Sequence, residues 1–108
     1  MDESAWDTVD RLVAWIDESS PRPRETDKLL RIMKLSEEVG EVAAAVLGAT
    51  GQNPRKGLTH SWDDVQHELC DVILSAMVAL STINPDARKL FAQRLDHVAE
   101  RSLGQASA

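Results

Sequence analysis

Residues 38–42 read Glu-Val-Gly-Glu-Val and residues 68–72 read Glu-Leu-Cys-Asp-Val, both in the order acid, apolar, small, acid, apolar. In a helix, at about 100° per residue, acids three apart lie roughly 60° from one another on one flank. The apolar residue after each acid then turns toward the core, so Glu38 and Glu68 sit at the edge of the buried face. Glu41 and Asp71 sit one step further out. Two such helices packed together bring four carboxylates to the border of one core. Like charges crowded in a partly dry site cannot all stay ionised unless something compensates them. A hard divalent cation does so: magnesium takes oxygen ligands, keeps several waters and is completed by substrate phosphates.

The surrounding chain supports helices for both pentads. The first acidic helix runs from about Thr26 to Leu47, with Leu35, Val39, Val42 and Val46 as its apolar stripe and Gly48 and Gly51 as stop signals. The second opens on a capping box, Ser61-Trp62-Asp63-Asp64, and continues to about Thr82 with Val65, Leu69, Val72, Ala76 and Leu80 on its main face. An earlier helix spans about Ala5 to Glu18 through Trp6, Val9, Leu12, Val13 and Ile16, and ends at Ser19-Ser20-Pro21-Arg22-Pro23. A last helix begins at Asn84-Pro85, an N-cap followed by proline, and carries Leu90, Phe91, Leu95 and Val98. The tail from Ser102 to Ala108 is small and polar and is expected to fray. No strand pattern competes. The fold class expected is all-α, a single domain over residues 1–108 forming an antiparallel four-helix bundle. Leu74, Met77 and Val78 add further apolar faces to the third helix, which must therefore be covered on all sides. This implies a homo-oligomer, the alternative being a central helix in a monomer.

Bulk properties bound the function. The 108 residues carry a formal net charge of -6, which argues against non-specific nucleic-acid binding. One cysteine, Cys70, excludes an internal disulfide and suits a reducing compartment. The acidic start MDESAWDTVD has no secretory signal pattern, and the longest apolar stretch, Val72 to Leu80, falls far short of a membrane span. The expectation is a soluble, cytoplasmic protein with neither a nucleic-acid nor a membrane partner.

Within this frame the segment Lys34-Leu-Ser-Glu-Glu-Val-Gly-Glu-Val42, followed by Glu68-Leu-Cys-Asp-Val72, resembles the MazG-like all-α nucleoside triphosphate pyrophosphohydrolases. That superfamily includes dimeric dUTPases, dCTP pyrophosphatases and phosphoribosyl-ATP pyrophosphohydrolase. Glu37, Glu38, Glu41, Glu68 and Asp71 match its EExxE and ExxD signature, and residues 25–83 carry the resemblance. It implies hydrolysis of a (d)NTP to a (d)NMP and pyrophosphate, with Glu38, Glu41, Glu68 and Asp71 holding Mg2+, for which Mn2+ substitutes. It also implies a homodimer or homotetramer. Glu37 becomes an outer ligand or the base that positions water. Many members have tyrosine where this chain has Ser75. The other readings are phosphoribosyl-ATP hydrolysis and a non-catalytic helical interaction module. A di-iron bundle is disfavoured, because no Glu-x-x-His accompanies these acids.

Between Val42 and Trp62 there is no acid, while Arg55, Lys56 and His60 are present. This basic loop is either a triphosphate contact or an ordinary solvated loop. Lys34, four residues before Glu38, reads either as a helix-stabilising ion pair or as a contact at phosphate. Arg22, Arg24, Lys28 and Arg31 read as a solvated face, and Trp6 and Trp15 as core. Trp62, at a helix start beside the loop, is a candidate to stack on a base.

Overall fold

The structure, a computed structural model, describes residues 3–104. It contains four helices: α1 (Glu3–Ser19), α2 (Arg24–Thr50), α3 (Trp62–Ile83) and α4 (Ala87–Leu103). No strand occurs among the described residues. The tail expected to fray is helical through Leu103, and residues 105–108 lie outside the described residues. None of these helices is by itself long and apolar enough to cross a membrane.

Local chemistry sets the boundaries. At α3 the Ser61 side chain accepts from the Asp64 N–H while Asp64 accepts from the Ser61 N–H, which completes the expected capping box. Helix α2 does not stop at Gly48, which is buried within it; it ends at Gly51, whose φ of 66° is the left-handed cap conformation. Helix α4 begins later than the Asn84-Pro85 signal suggested. Asn84 caps α3 and its side chain accepts from the Asp86 N–H, so it holds the turn between the helices while α4 starts at Ala87.

Helix α3 touches each of the other three helices. One core cluster joins Trp6, Val9 and Val13 of α1 to Met77 of α3 and Ala87 of α4, with the Phe91 ring 6.1 Å from that of Trp6. Between α3 and α4 the chain turns by 118°, and the molecule spans 50 × 48 × 22 Å. The radius of gyration is 17.4 Å, well above the roughly 13 Å of a compact domain this long. The helices form a slab, and the slab leaves large apolar side chains outside, among them Leu69, Ile73, Leu90 and Leu95.

The buried faces differ from the apolar stripes that the sequence suggests. On α2 the buried residues are Asp27, Arg31, Glu38, Ala45 and Gly48, whereas Val39 is 54% exposed and Leu35, Val42 and Val46 are half-buried. The inward positions 31, 38 and 45 repeat by heptads, and polar residues hold the first two. On α3 the expected Leu69 and Ala76 face out, while Val65, Met77, Ala79, Ser81 and Thr82 are inside. Neighbours on different sides of α3 spread its buried positions beyond one stripe. Leu12 of α1 is exposed as well, and Trp15, expected in the core, is 65% exposed.

Of the four cations around the start of α2, Arg31 departs from the solvated face expected. Arg31 is 9% exposed; it pairs with Asp17 at 2.8 Å and Asp27 at 3.7 Å and donates to Thr82 Oγ1 at 3.0 Å. Arg22 Nε donates to Asp27 Oδ1 at 2.8 Å, and Arg24 bridges Asp17 at 2.9 Å to the Thr82 carbonyl at 3.0 Å. Ser20 and Arg22, both bonded to the Asp27 carboxylate, hold its pKa below the ordinary value. Arg22 and Arg24 make their pairs while half exposed, and with Lys28, paired with exposed Glu25 at 3.4 Å, they fit the solvated reading. The charged side chains tie α1, α2 and α3 together where apolar packing is thin.

Candidate metal centre

Helices α2 and α3 carry one pentad each, and their packing brings Glu38, Glu41 and Glu68 together. One carboxylate oxygen from each lies within 4.8 Å of the others. The three differ in surroundings: Glu38 is 8% exposed, Glu68 is half-buried and Glu41 is exposed. Asp71 is exposed and stands outside the cluster. The gradient from buried first acid to exposed second acid follows the helical phase of the two pentads. Glu38 lies further in than that phase alone suggested, and Val39 further out.

Electrostatics in the cluster are those of crowded like charges. The Glu41 pKa is raised, first by the charge of Glu38, then by desolvation and by sharing a hydrogen bond with Glu68. Glu68 Oε2 is buried and has no hydrogen-bond partner of its own among the described residues. Buried carboxylate oxygens are ordinarily satisfied, so an orphan next to two more acids is the condition that a cation relieves. Three carboxylates on two rigid helices, opening to solvent on the Glu41 side, fit a hard divalent ion that keeps part of its water.

On α2, one turn before Glu38, Lys34 Nζ lies 3.5 Å from both Glu37 and Glu38. The Glu37 charge, followed by that of Glu38, holds the Lys34 amine above its ordinary pKa. The ion pair expected for Lys34 is therefore present. Glu37 is exposed, at the rim of the cluster.

The loop from Gly51 to Ser61 returns onto α2 at Gly48. Thr59 donates its N–H to the Gly48 carbonyl at 3.1 Å, and a Cβ on Gly48 would collide with Thr59 and His60. Glycine at 48 is thus a close-approach residue, and the stop-signal reading concealed that role. Together the loop and α2 enclose a cavity of about 260 Å³ lined by Ala44, Gly48, Asn53, Lys56 and His60 among others. Of the three basic loop residues singled out from sequence, Lys56 and His60 line it and Arg55 does not. Trp62 is 56% exposed at the first position of α3 and does not line it either.

No family model, curated protein or solved structure matches the chain.

Proposed function

We propose that this chain is a magnesium-dependent nucleoside triphosphate pyrophosphohydrolase, converting a (d)NTP and water to a (d)NMP and pyrophosphate, with a role in clearing the nucleotide pool. The observation that carries this reading is the meeting of Glu38, Glu41 and Glu68 across α2 and α3, beside an orphaned buried oxygen of Glu68. A bound magnesium ion would polarise the phosphates and acidify the attacking water.

The chain's own residues supply the rest. Glu38, Glu41 and Glu68 hold the ion. Asp71, one turn beyond Glu68 on the solvent side, is the fourth carboxylate that the resemblance to MazG-like enzymes calls for. Glu37, exposed and adjacent, accepts the proton of the attacking water. The water oxygen forms its bond to the α-phosphorus as the bond from that phosphorus to the bridging oxygen breaks. The electron pair leaves with pyrophosphate. Lys34, held between Glu37 and Glu38, contributes positive charge beside the phosphates. Arg55 and Lys56 offer further charge from the loop, and exposed Trp62 offers a stacking surface.

The antiparallel bundle and the homo-oligomer belong to the same proposal. Leu69 and Ile73 on α3 and Leu90 and Leu95 on α4 are exposed in a slab whose core cluster is small. A second copy packed against these side chains covers them and completes a bundle.

The reaction is tested by pyrophosphate release from a panel of canonical and modified (d)NTPs, with phosphoribosyl-ATP included, in magnesium and in EDTA. Magnesium-dependent pyrophosphate with the matching monophosphate is expected from at least one nucleotide, and loss of turnover in Glu38→Gln and Asp71→Asn. No release from any substrate would reject the reading in favour of a binding module.

A further inference from the structure

We propose that the cavity between the C-terminal end of α2 and the returning loop is the subsite for the pyrophosphate half of the substrate, with Lys56 and His60 as its anion contacts. The inference rests on the reading of the carboxylate cluster as the hydrolytic centre. Ala44, which borders the cavity, is one turn beyond Glu41 on α2, about 5 Å along the axis. In the other direction Lys34, one turn before Glu38, borders a different cavity of about 340 Å³ whose walls are mostly apolar (Ile16, Leu74 and Val78) and whose two cations, Arg31 and Lys34, are already paired with Asp17 and Asp27 and with Glu37 and Glu38. The carboxylates therefore stand between an apolar cavity and a basic one. The pyrophosphate half of the substrate, which carries several negative charges, is better placed on the basic side than against the apolar walls beyond Lys34, where it would lose its hydration without gaining partners.

The basic cavity is built to receive it. No acid occurs between Val42 and Trp62, although the whole chain has 18 acids against 12 lysines and arginines. Lys56 is held by a turn in which the Asn53 carbonyl accepts from the N–H groups of Lys56 and Gly57 at 3.1 and 3.0 Å. His60 is seated on α2 because Gly48 has no Cβ. Its Nδ1 meets Thr59 Oγ1 at 3.0 Å, which leaves Nε2 as the nitrogen for a ligand. A cation and an imidazole in one lining, together with Asn53, form a phosphate-type anion site.

The test is calorimetric titration of inorganic pyrophosphate, with magnesium present, into the full chain and into Lys56→Ala, His60→Ala and Lys28→Ala. Circular dichroism of each variant checks that the helices persist. Saturable binding is expected in the wild-type chain, about tenfold weaker in Lys56→Ala and in His60→Ala. Lys28→Ala, which removes the same charge from the far end of α2, should stay within about twofold of wild type. Pyrophosphate that fails to bind, or binds Lys56→Ala as tightly as wild type, overturns the subsite, even in a chain that hydrolyses nucleotides. Binding that depends on Lys56 in a chain that hydrolyses no nucleotide keeps the anion site and rejects the reaction.

Discussion

Replacing Arg31 with methionine removes the centre of the charged network while keeping most of the side-chain volume. Arg31 is buried and reaches three elements: Asp17 of α1, Asp27 of α2 and Thr82 of α3. Leaving a buried charge wholly without its partner costs about 3–5 kcal/mol. The cost here is smaller, because each partner retains another contact. Asp27 keeps Arg22 at 2.8 Å, Asp17 keeps Arg24 at 2.9 Å and is partly solvated, and Thr82 still donates to the Val78 carbonyl at 2.7 Å. The expected loss is roughly 2–3 kcal/mol, or a fall in Tm of about 10–20 °C for a domain this size. Urea unfolding should show a lower midpoint at unchanged slope. Lys28→Met, which breaks an exposed pair on the same helix, should cost under about 0.5 kcal/mol. If Arg31→Met unfolds at the same midpoint as Lys28→Met, the network does not hold the helices together.

Three further outcomes follow from the local electrostatics. Because the Glu41 pKa is raised above its ordinary 4.5, the metal-free fold binds that proton more tightly than the unfolded chain does. This stabilisation is complete below the ordinary value and is lost as pH rises through the raised one. Melts in EDTA should therefore weaken with rising pH, while magnesium or Glu41→Gln flattens the trend; an identical slope in Glu41→Gln would refute the cause. Asp27 acts in the opposite sense: its lowered pKa adds stability above the ordinary 3.8 that is lost as pH falls through the lowered value. Asp27→Asn should accordingly lose stability at neutral pH and approach wild type in acid, as read from melting curves at each pH. Finally, Ser61→Ala breaks the capping box of α3 and should cost about 1 kcal/mol in urea unfolding.

Much of this molecule was legible in its sequence. All four helices were, since their punctuation is chemical: the Ser61–Asp64 box, the prolines at 21 and 23, and Gly51. So was the carboxylate cluster, because acids three apart ahead of apolar residues have a defined helical phase. Which face of α2 turned inward was not legible. Hydrophobicity marked Val39 as inside and Glu38 as its edge, yet the inward face is polar at Asp27, Arg31 and Glu38. Burial there follows from partners on α1 and α3, which periodicity within α2 does not contain. For the same reason Arg31 read as solvated and Trp15 as core. Gly48 read as a stop, although its role is to let Thr59 and His60 approach, a contact with residues on a loop whose path the local sequence does not specify. Asp71 matched its counterpart Glu41 by position and yet stands outside the cluster, because the match fixes the flank of α3 and not the distance to α2.

Whether Glu38, Glu41 and Glu68 hold a divalent cation is decided by titration with Mn2+ followed by electron paramagnetic resonance. Saturable binding that Mg2+ displaces is predicted, with Glu38→Gln and Glu68→Gln each weakened more than about tenfold and still helical. Mn2+ that binds these variants as tightly as wild type, or that shows no saturable site, would contradict it.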